Sequence, residues 1–138
     1  MTSLTARRVR RGFTLIELVV VVLVMGILAA VAAPKMFDTA SNAKVNATRQ
    51  SLVVVRDAIE LYKAQNGSYP PGATLAAALG PFIKGPFPKS AVPGAAGDAT
   101  VRVETDGSGL GTVTGAQDWA YDSNDGSFGI NKATYDTY

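Results

Sequence analysis

Phe13-Thr14-Leu15-Ile16-Glu17-Leu18-Val19-Val20-Val21-Val22-Leu23-Val24-Met25-Gly26, continuing to Ala33, is apolar at 18 of 21 positions, with only Thr14, Glu17 and Gly26 as exceptions. As a helix rising about 1.5 Å per residue it covers roughly 31 Å, enough to cross the hydrocarbon core of a bilayer. In front of it, Met1 to Gly12 is a short arm with Arg7, Arg8, Arg10 and Arg11 and no acid. Behind it, Lys35 to Asn66 stays compatible with a helix but turns polar, and Gly67 to Tyr138 is rich in Gly and Pro and reads as short strands and loops.

The whole chain has 138 residues, 13 basic and 11 acidic side chains, no histidine and no cysteine. Setting aside the four leader arginines leaves nine basic groups against eleven acidic ones, so the basic balance belongs to the arm. No basic, aromatic-interleaved patch follows it, and no nucleic-acid role is expected. The missing cysteines exclude a disulfide framework and thiolate chemistry, and the missing histidines remove the commonest general base and metal ligand. No enzymatic activity and no cofactor are expected.

The polar half of the helix carries two apolar stripes. Val45, Leu52 and Ile59 repeat every seven residues with Val55 and Tyr62 beside them, while Ala40, Ala47, Val54 and Leu61 lie on roughly the opposite face. One stripe suits the chain's own C-terminal part, and the other calls for a neighbouring subunit. The helix is expected to stop at Asn66-Gly67, with Gly67 as a left-handed cap and Pro70-Pro71 preventing resumption. Beyond it a short helix is expected over 74–79 with Thr74 as N-cap, followed by strands over 100–105, 111–114, 119–121 and 127–131. Asp122 to Gly126 forms the last turn. The expectation is an α+β fold, a long N-terminal helix followed by a small antiparallel sheet with its core around Trp119, Tyr121, Phe128 and Ile130. Four segments result: a cleaved basic leader (1–12), a membrane-spanning helix (13–33), its amphipathic continuation (34–66) and a β domain (67–138).

Glu17 is the residue to explain, because a carboxylate within an apolar span is expensive and should have a partner. One reading leaves it partly hydrated near a helix N-terminus, favoured by the dipole. The other requires a cation, and none lies between Arg11 and Lys35. Cleavage between Gly12 and Phe13 would create one, the α-amine of Phe13, able to meet Glu17 in the same or an adjacent chain. Ala30-Val31-Ala32 also fits an ordinary signal-peptidase site, which would release a secreted binding domain, although the apolar run exceeds the usual length for such signals.

Arg11-Gly12-Phe13-Thr14-Leu15-Ile16-Glu17-Leu18 ahead of a continuous apolar run resembles the class III signal of type IV prepilins and type II secretion pseudopilins. The resemblance implies a pilin-like fold, cleavage after Gly12 by the prepilin peptidase and N-methylation of Phe13. It also implies an assembly salt bridge between Glu17 and Phe13, and helix softening at Gly26 and Pro34. The partners it implies are further copies of the chain, minor pseudopilins, the peptidase/methyltransferase, the inner-membrane assembly platform and membrane lipid. Trp119-Ala120-Tyr121-Asp122 with Gly126-Ser127-Phe128, and Asn66-Gly67-Ser68-Tyr69-Pro70, resemble small pseudopilins, whereas many type IV pilins carry a cysteine pair. Function is therefore expected to be structural: a subunit of a type II secretion pseudopilus, or alternatively a type IV pilus pilin for adhesion, motility or DNA uptake. The charge asymmetry implies a single pass through the inner membrane with the N-terminus cytoplasmic. Asp122, Asn124 and Asp125 offer oxygen ligands, but at a spacing one residue off the calcium-loop pattern, so no metal is expected.

Overall fold

The computed structural model describes residues 12–137. The basic leader expected over 1–12 therefore lies, apart from Gly12, outside the described residues. Helix α1 (Leu15–Asn66) contains both the apolar span and its polar continuation, with Pro34 inside it. Two compact units divide at residues 38 and 39.

In the first unit the residues from Phe13 to Phe37 are all exposed among the described residues. Val19 to Val24 are each about half exposed or more, and Met36 and Phe37 are 71% and 76% exposed. The helix begins where Thr14 caps it and continues through Gly26 and Pro34. Pro34 supplies no N–H for the carbonyl of Ala30, so the ladder lacks one bond there.

The second unit is built on the continuation of α1. Leu52, Val55, Ala58 and Ile59 are buried, with Val45 and Tyr62 packed beside them, as the first stripe anticipated. Val53, Val54 and Leu61 are about half exposed, and Ala40 and Ala47 are exposed. The second stripe thus stays largely exposed, with Ala47 and Val54 bordering a surface depression beside Ile83 and Pro86. The helix ends as expected: Gly67 has φ +76° and donates its N–H to the Lys63 carbonyl at 2.8 Å. A 3-10 turn (Gly72–Thr74) leads into α2 (Leu75–Ala78), which buries Leu75. The Thr74 hydroxyl makes no cap, contrary to expectation: with φ −122° and ψ 19° its backbone lacks the extended conformation from which a capping hydroxyl reaches the N–H groups of the first turn.

Strands β1 (Val101–Glu104), β2 (Trp119–Asp122) and β3 (Phe128–Ile130) form one sheet in that order. The sheet is mixed rather than antiparallel throughout. β2 and β3 pair antiparallel, but β1 runs parallel to β2, with Val101 opposite Trp119 and Glu104 opposite Asp122. A parallel pair needs a long return connection. Residues 105–118 provide it without a helix, turning through Gly107, Gly109, Gly111 and Gly115, all at positive φ. The strand expected over 111–114 is part of this return. There Thr114 N–H finds the side-chain carbonyl of Asn131, not a ladder partner, and the Asn131 amide donates back to Thr114 Oγ and Gln117 O. β1 also departs from its expected alternation. Val103 is exposed while Arg102 and Glu104 are partly buried, paired with each other.

The core centres on Trp119, Tyr121, Phe128 and Ile130, joined by Leu75, Leu79, Ile83 and Val92 and by the helix residues above. Trp119 stacks on Phe128 with ring centres 5.1 Å apart, and its indole N–H reaches Pro88 O at 3.0 Å. Tyr121 donates its hydroxyl to Pro70 O at 2.8 Å, and burial pushes its phenol well above the usual range. The turn before β3 is held against Tyr69: Gly126 sits at φ +82°, and a Cβ there would overlap the Tyr69 ring. Gly126→Ala should therefore destabilise the folded chain by about 3 kcal/mol, combining left-handed strain with overpacking. Urea unfolding of the detergent-solubilised protein, followed by the fluorescence of Trp119, its single tryptophan, measures this.

Candidate functional site

The residues that carry the sequence argument gather at the start of α1. Gly12 and Phe13 precede the helix in non-helical backbone, both exposed, Phe13 at 88%. Among the described residues a Cβ built on Gly12 meets nothing beyond its chain neighbours within 4 Å, so they impose no steric need for glycine there. Phe13, Ile16, Glu17, Val20 and Val21 line one shallow surface depression.

Glu17 occupies the third helical position and Thr14 the N-cap. Thr14 donates both its backbone N–H and its hydroxyl to Glu17 Oε2, each at 2.9 Å, and the Thr14 Oγ accepts the Glu17 N–H at 3.3 Å. This reciprocal arrangement is a capping box, which satisfies amide groups that the first turn of any helix leaves without intrahelical partners. The Thr14 carbonyl accepts the first helical bond, from Leu18 N–H at 3.3 Å. Glu17 thus has a partner inside its own chain before any second subunit is present. The sequence reading passed over Thr14, although a threonine three residues before a glutamate, directly ahead of an apolar run, is a recognisable signal for this cap.

Gly26 and Pro34, the two expected softening positions, both lie inside α1, and among the described residues nothing beyond the local helix backbone stands within 4 Å of a Cβ built on Gly26. In the C-terminal part the acidic side chains are occupied with backbone. Asp122 is fully buried and accepts Asn124 N–H at 2.8 Å and Gly109 N–H at 3.2 Å, while Asp125 accepts Ser127 N–H at 2.7 Å. Among the described residues no group of three or more acidic side chains is arranged to hold a metal ion. Asp106 is held below the ordinary carboxylate range by the N–H and hydroxyl of Ser108, and Asp98 likewise by the hydroxyl and N–H of Thr100.

Two side chains that sequence reasoning did not single out fix a loop beside the sheet and the start of β3. Asp118, fully buried, accepts Ala96, Gly97 and Asp98 N–H groups at 2.8–3.0 Å, with Lys132 Nζ 3.6 Å away. Arg56 donates from the helix to Phe128 O at 2.8 Å, and partial burial lowers the pKa of its guanidinium. Near the helix end, Lys63 donates to Tyr69 Oη at 2.9 Å, and this bond raises the pKa of the ammonium.

The family described as the prokaryotic N-terminal methylation motif matches residues 7–33. The type II secretion system core protein G of Pseudomonas aeruginosa is 41% identical over 64 residues, 46% of this chain and 45% of the relative. Its counterpart in Klebsiella michiganensis is 36% identical over an equal length. The fimbrial protein EcpC of Eikenella corrodens is 32% identical over 126 residues, covering 88% of this chain and 81% of the relative. The chain belongs to the type IV pilin and pseudopilin family. Its match to the two core G pseudopilins spans just under half of their length. No solved structure matches the chain at a significant level. Within this family context, the methylation motif takes in Gly12, Phe13, Thr14, Glu17 and Gly26, and Pro34 follows one residue after it.

Proposed function

We propose that the protein is a structural subunit of a membrane-anchored helical filament, the pseudopilus of a type II protein secretion system. The observation that supports this most is the pairing of two exposed apolar surfaces on one helix. The first is the span from Phe13 to Ala33, suited to lipid before assembly. The second is the stripe of Ala40, Ala47, Val54 and Leu61, which lipid cannot cover if it lies beyond the bilayer. Complete burial of a Val or Leu side chain is worth about 1.5–3 kcal/mol, and Val54 and Leu61 are each 48% exposed, so contact with another subunit gains about 1 kcal/mol at each. The relatives are named as secretion-system and fimbrial components, and this role requires no catalysis.

In this reading residues 1–12 are the leader, 13–33 the span, 34–66 the amphipathic continuation and 67–138 the exported domain. The prepilin peptidase cuts between Gly12 and Phe13 and methylates the new amine. The four arginines hold the N-terminus in the cytoplasm, and the C-terminal domain lies outside the inner membrane. Further copies of the chain, minor pseudopilins and the assembly platform are its partners. Intact-mass measurement of the membrane-extracted protein tests the reading: a chain starting at N-methylated Phe13 supports it, and a soluble product starting near Pro34 overturns it.

Gly26 and Pro34 act here as the positions where the helix opens when subunits pack. Glycine costs about 1 kcal/mol relative to alanine and Pro34 removes one hydrogen bond, so the stretch between them is the least expensive to unwind. A filament map should show non-helical backbone between them, and an unbroken helix would remove this part of the proposal.

The alternative, a type IV pilus pilin, draws on the fimbrial relative, whose match covers 88% of this chain against 46% for the core G protein of Pseudomonas aeruginosa. Deleting the gene separates the two: secreted proteins held back in the periplasm indicate a pseudopilus, and lost adhesion or motility with secretion intact indicates a pilus.

A further inference from the structure

The two oxygens of the Glu17 carboxylate are not equivalent. Oε2 takes both the backbone N–H and the hydroxyl of Thr14, and the Thr14 Oγ accepts the Glu17 N–H in return. Among the described residues, Oε1 accepts no hydrogen bond. An ionised carboxylate has about four acceptor positions, so occupation of one oxygen leaves the other competent. The amide that supplies the Thr14 N–H joins Phe13 to Thr14. Cleavage between Gly12 and Phe13 leaves that amide intact, so processing does not remove the donor.

We propose that Thr14 is a positioning residue for subunit docking: it clamps Glu17 by Oε2 and leaves Oε1 to receive the N-terminal ammonium of a second copy of the chain. The proposal rests on the filament reading above and assigns to Thr14 a role separate from cleavage. A glutamate free to rotate must lose its side-chain freedom when the ammonium arrives, whereas a clamped one has lost it already. The clamp also lays negative charge over the partial positive charge of the helix start, which would otherwise oppose an approaching cation.

The hydroxyl is the testable part. Thr14→Val keeps the branched shape but removes the hydroxyl, and Thr14→Ser keeps the hydroxyl but removes the methyl group. The full chain is produced at low level, and assembly is read as the ratio of filament to trimmed membrane-bound subunit, so any effect on cleavage cancels. Thr14→Val should lower that ratio about fivefold, the size expected for losing a helix cap, and Thr14→Ser should stay near wild type. Zero-length carbodiimide coupling between Phe13 and Glu17 of different subunits provides a second readout. The fraction of assembled subunits that couple should fall in Thr14→Val, whereas a cap that merely stabilised the helix start would leave that fraction unchanged. A wild-type ratio for Thr14→Val, an equal loss in Thr14→Ser, or unchanged coupling would each overturn the positioning role. Glu17→Ala, run in parallel, keeps the two levels apart: its normal assembly would remove the Glu17 docking contact itself, while its failure beside a normal Thr14→Val would remove only the role of Thr14.

Discussion

Gly12→Arg should leave the protein in the membrane as the untrimmed chain, with the leader still attached and Phe13 still in peptide linkage. The described residues give no reason for glycine at this position: it is exposed, lies ahead of the helix and has open space where a Cβ would stand. The substitution should therefore leave the fold alone. Its effect falls on the peptidase, which must bring the carbonyl of residue 12 to its reacting groups and has to accommodate whatever side chain that residue carries. Each 1.36 kcal/mol of misfit in the transition state slows cleavage about tenfold, so even two such increments give about a hundredfold loss. Intact mass separates precursor from product directly, and the product carries the additional mass of the methyl group. Correctly trimmed Gly12→Arg protein at wild-type abundance would show that Gly12 does not define the cleavage site.

How much of this was legible in the sequence follows the range of the interactions concerned. The long helix, its end at Asn66-Gly67 and the stripe that covers the core could be read because each depends on residues a few positions apart. The cap of Thr14 on Glu17 belongs to the same class, since its signal lies within four residues, yet the charge of Glu17 pointed to the helix dipole and to the amine of Phe13, neither of which involves the threonine between them. The sheet was less legible. Whether β1 runs with or against β2 depends on the route of residues 105–118, and glycine-rich return segments carry no periodicity that states a direction. The expected strand over 111–114 failed for a related reason: Asn131, far along the chain, supplies the partners a neighbouring strand would have supplied. Asp118 and Arg56 are long-range as well, and nothing adjacent to either in sequence points to the loop or the strand that it holds.

Glu17→Ala should be cleaved, inserted and exported, yet enter filaments at least about tenfold less efficiently than wild type. The alanine variant loses two things at once, the carboxylate half of the capping box, which takes the Thr14 N–H and hydroxyl, and the acceptor for the neighbour's amine; the bond from the N–H of residue 17 to Thr14 Oγ remains. Their sizes differ. Losing half of a capping box is a modest effect, smaller than the roughly fivefold cost of losing the N-cap residue itself, whereas stranding one member of a buried ion pair is far larger than the worth of any exposed pair. Glu17→Gln separates the two contributions. Glutamine is an accepted partner in a capping box, so its side-chain carbonyl can still take the Thr14 N–H and hydroxyl while the charge is gone. If docking needs the carboxylate, Glu17→Gln should assemble nearly as poorly as Glu17→Ala despite an intact helix start. If the cap is all that matters, Glu17→Gln should assemble like wild type and only Glu17→Ala should fall. Normal filaments from both variants at low expression would reduce Glu17 to a tolerated acid at a helix start, and the salt bridge between subunits would have to be given up.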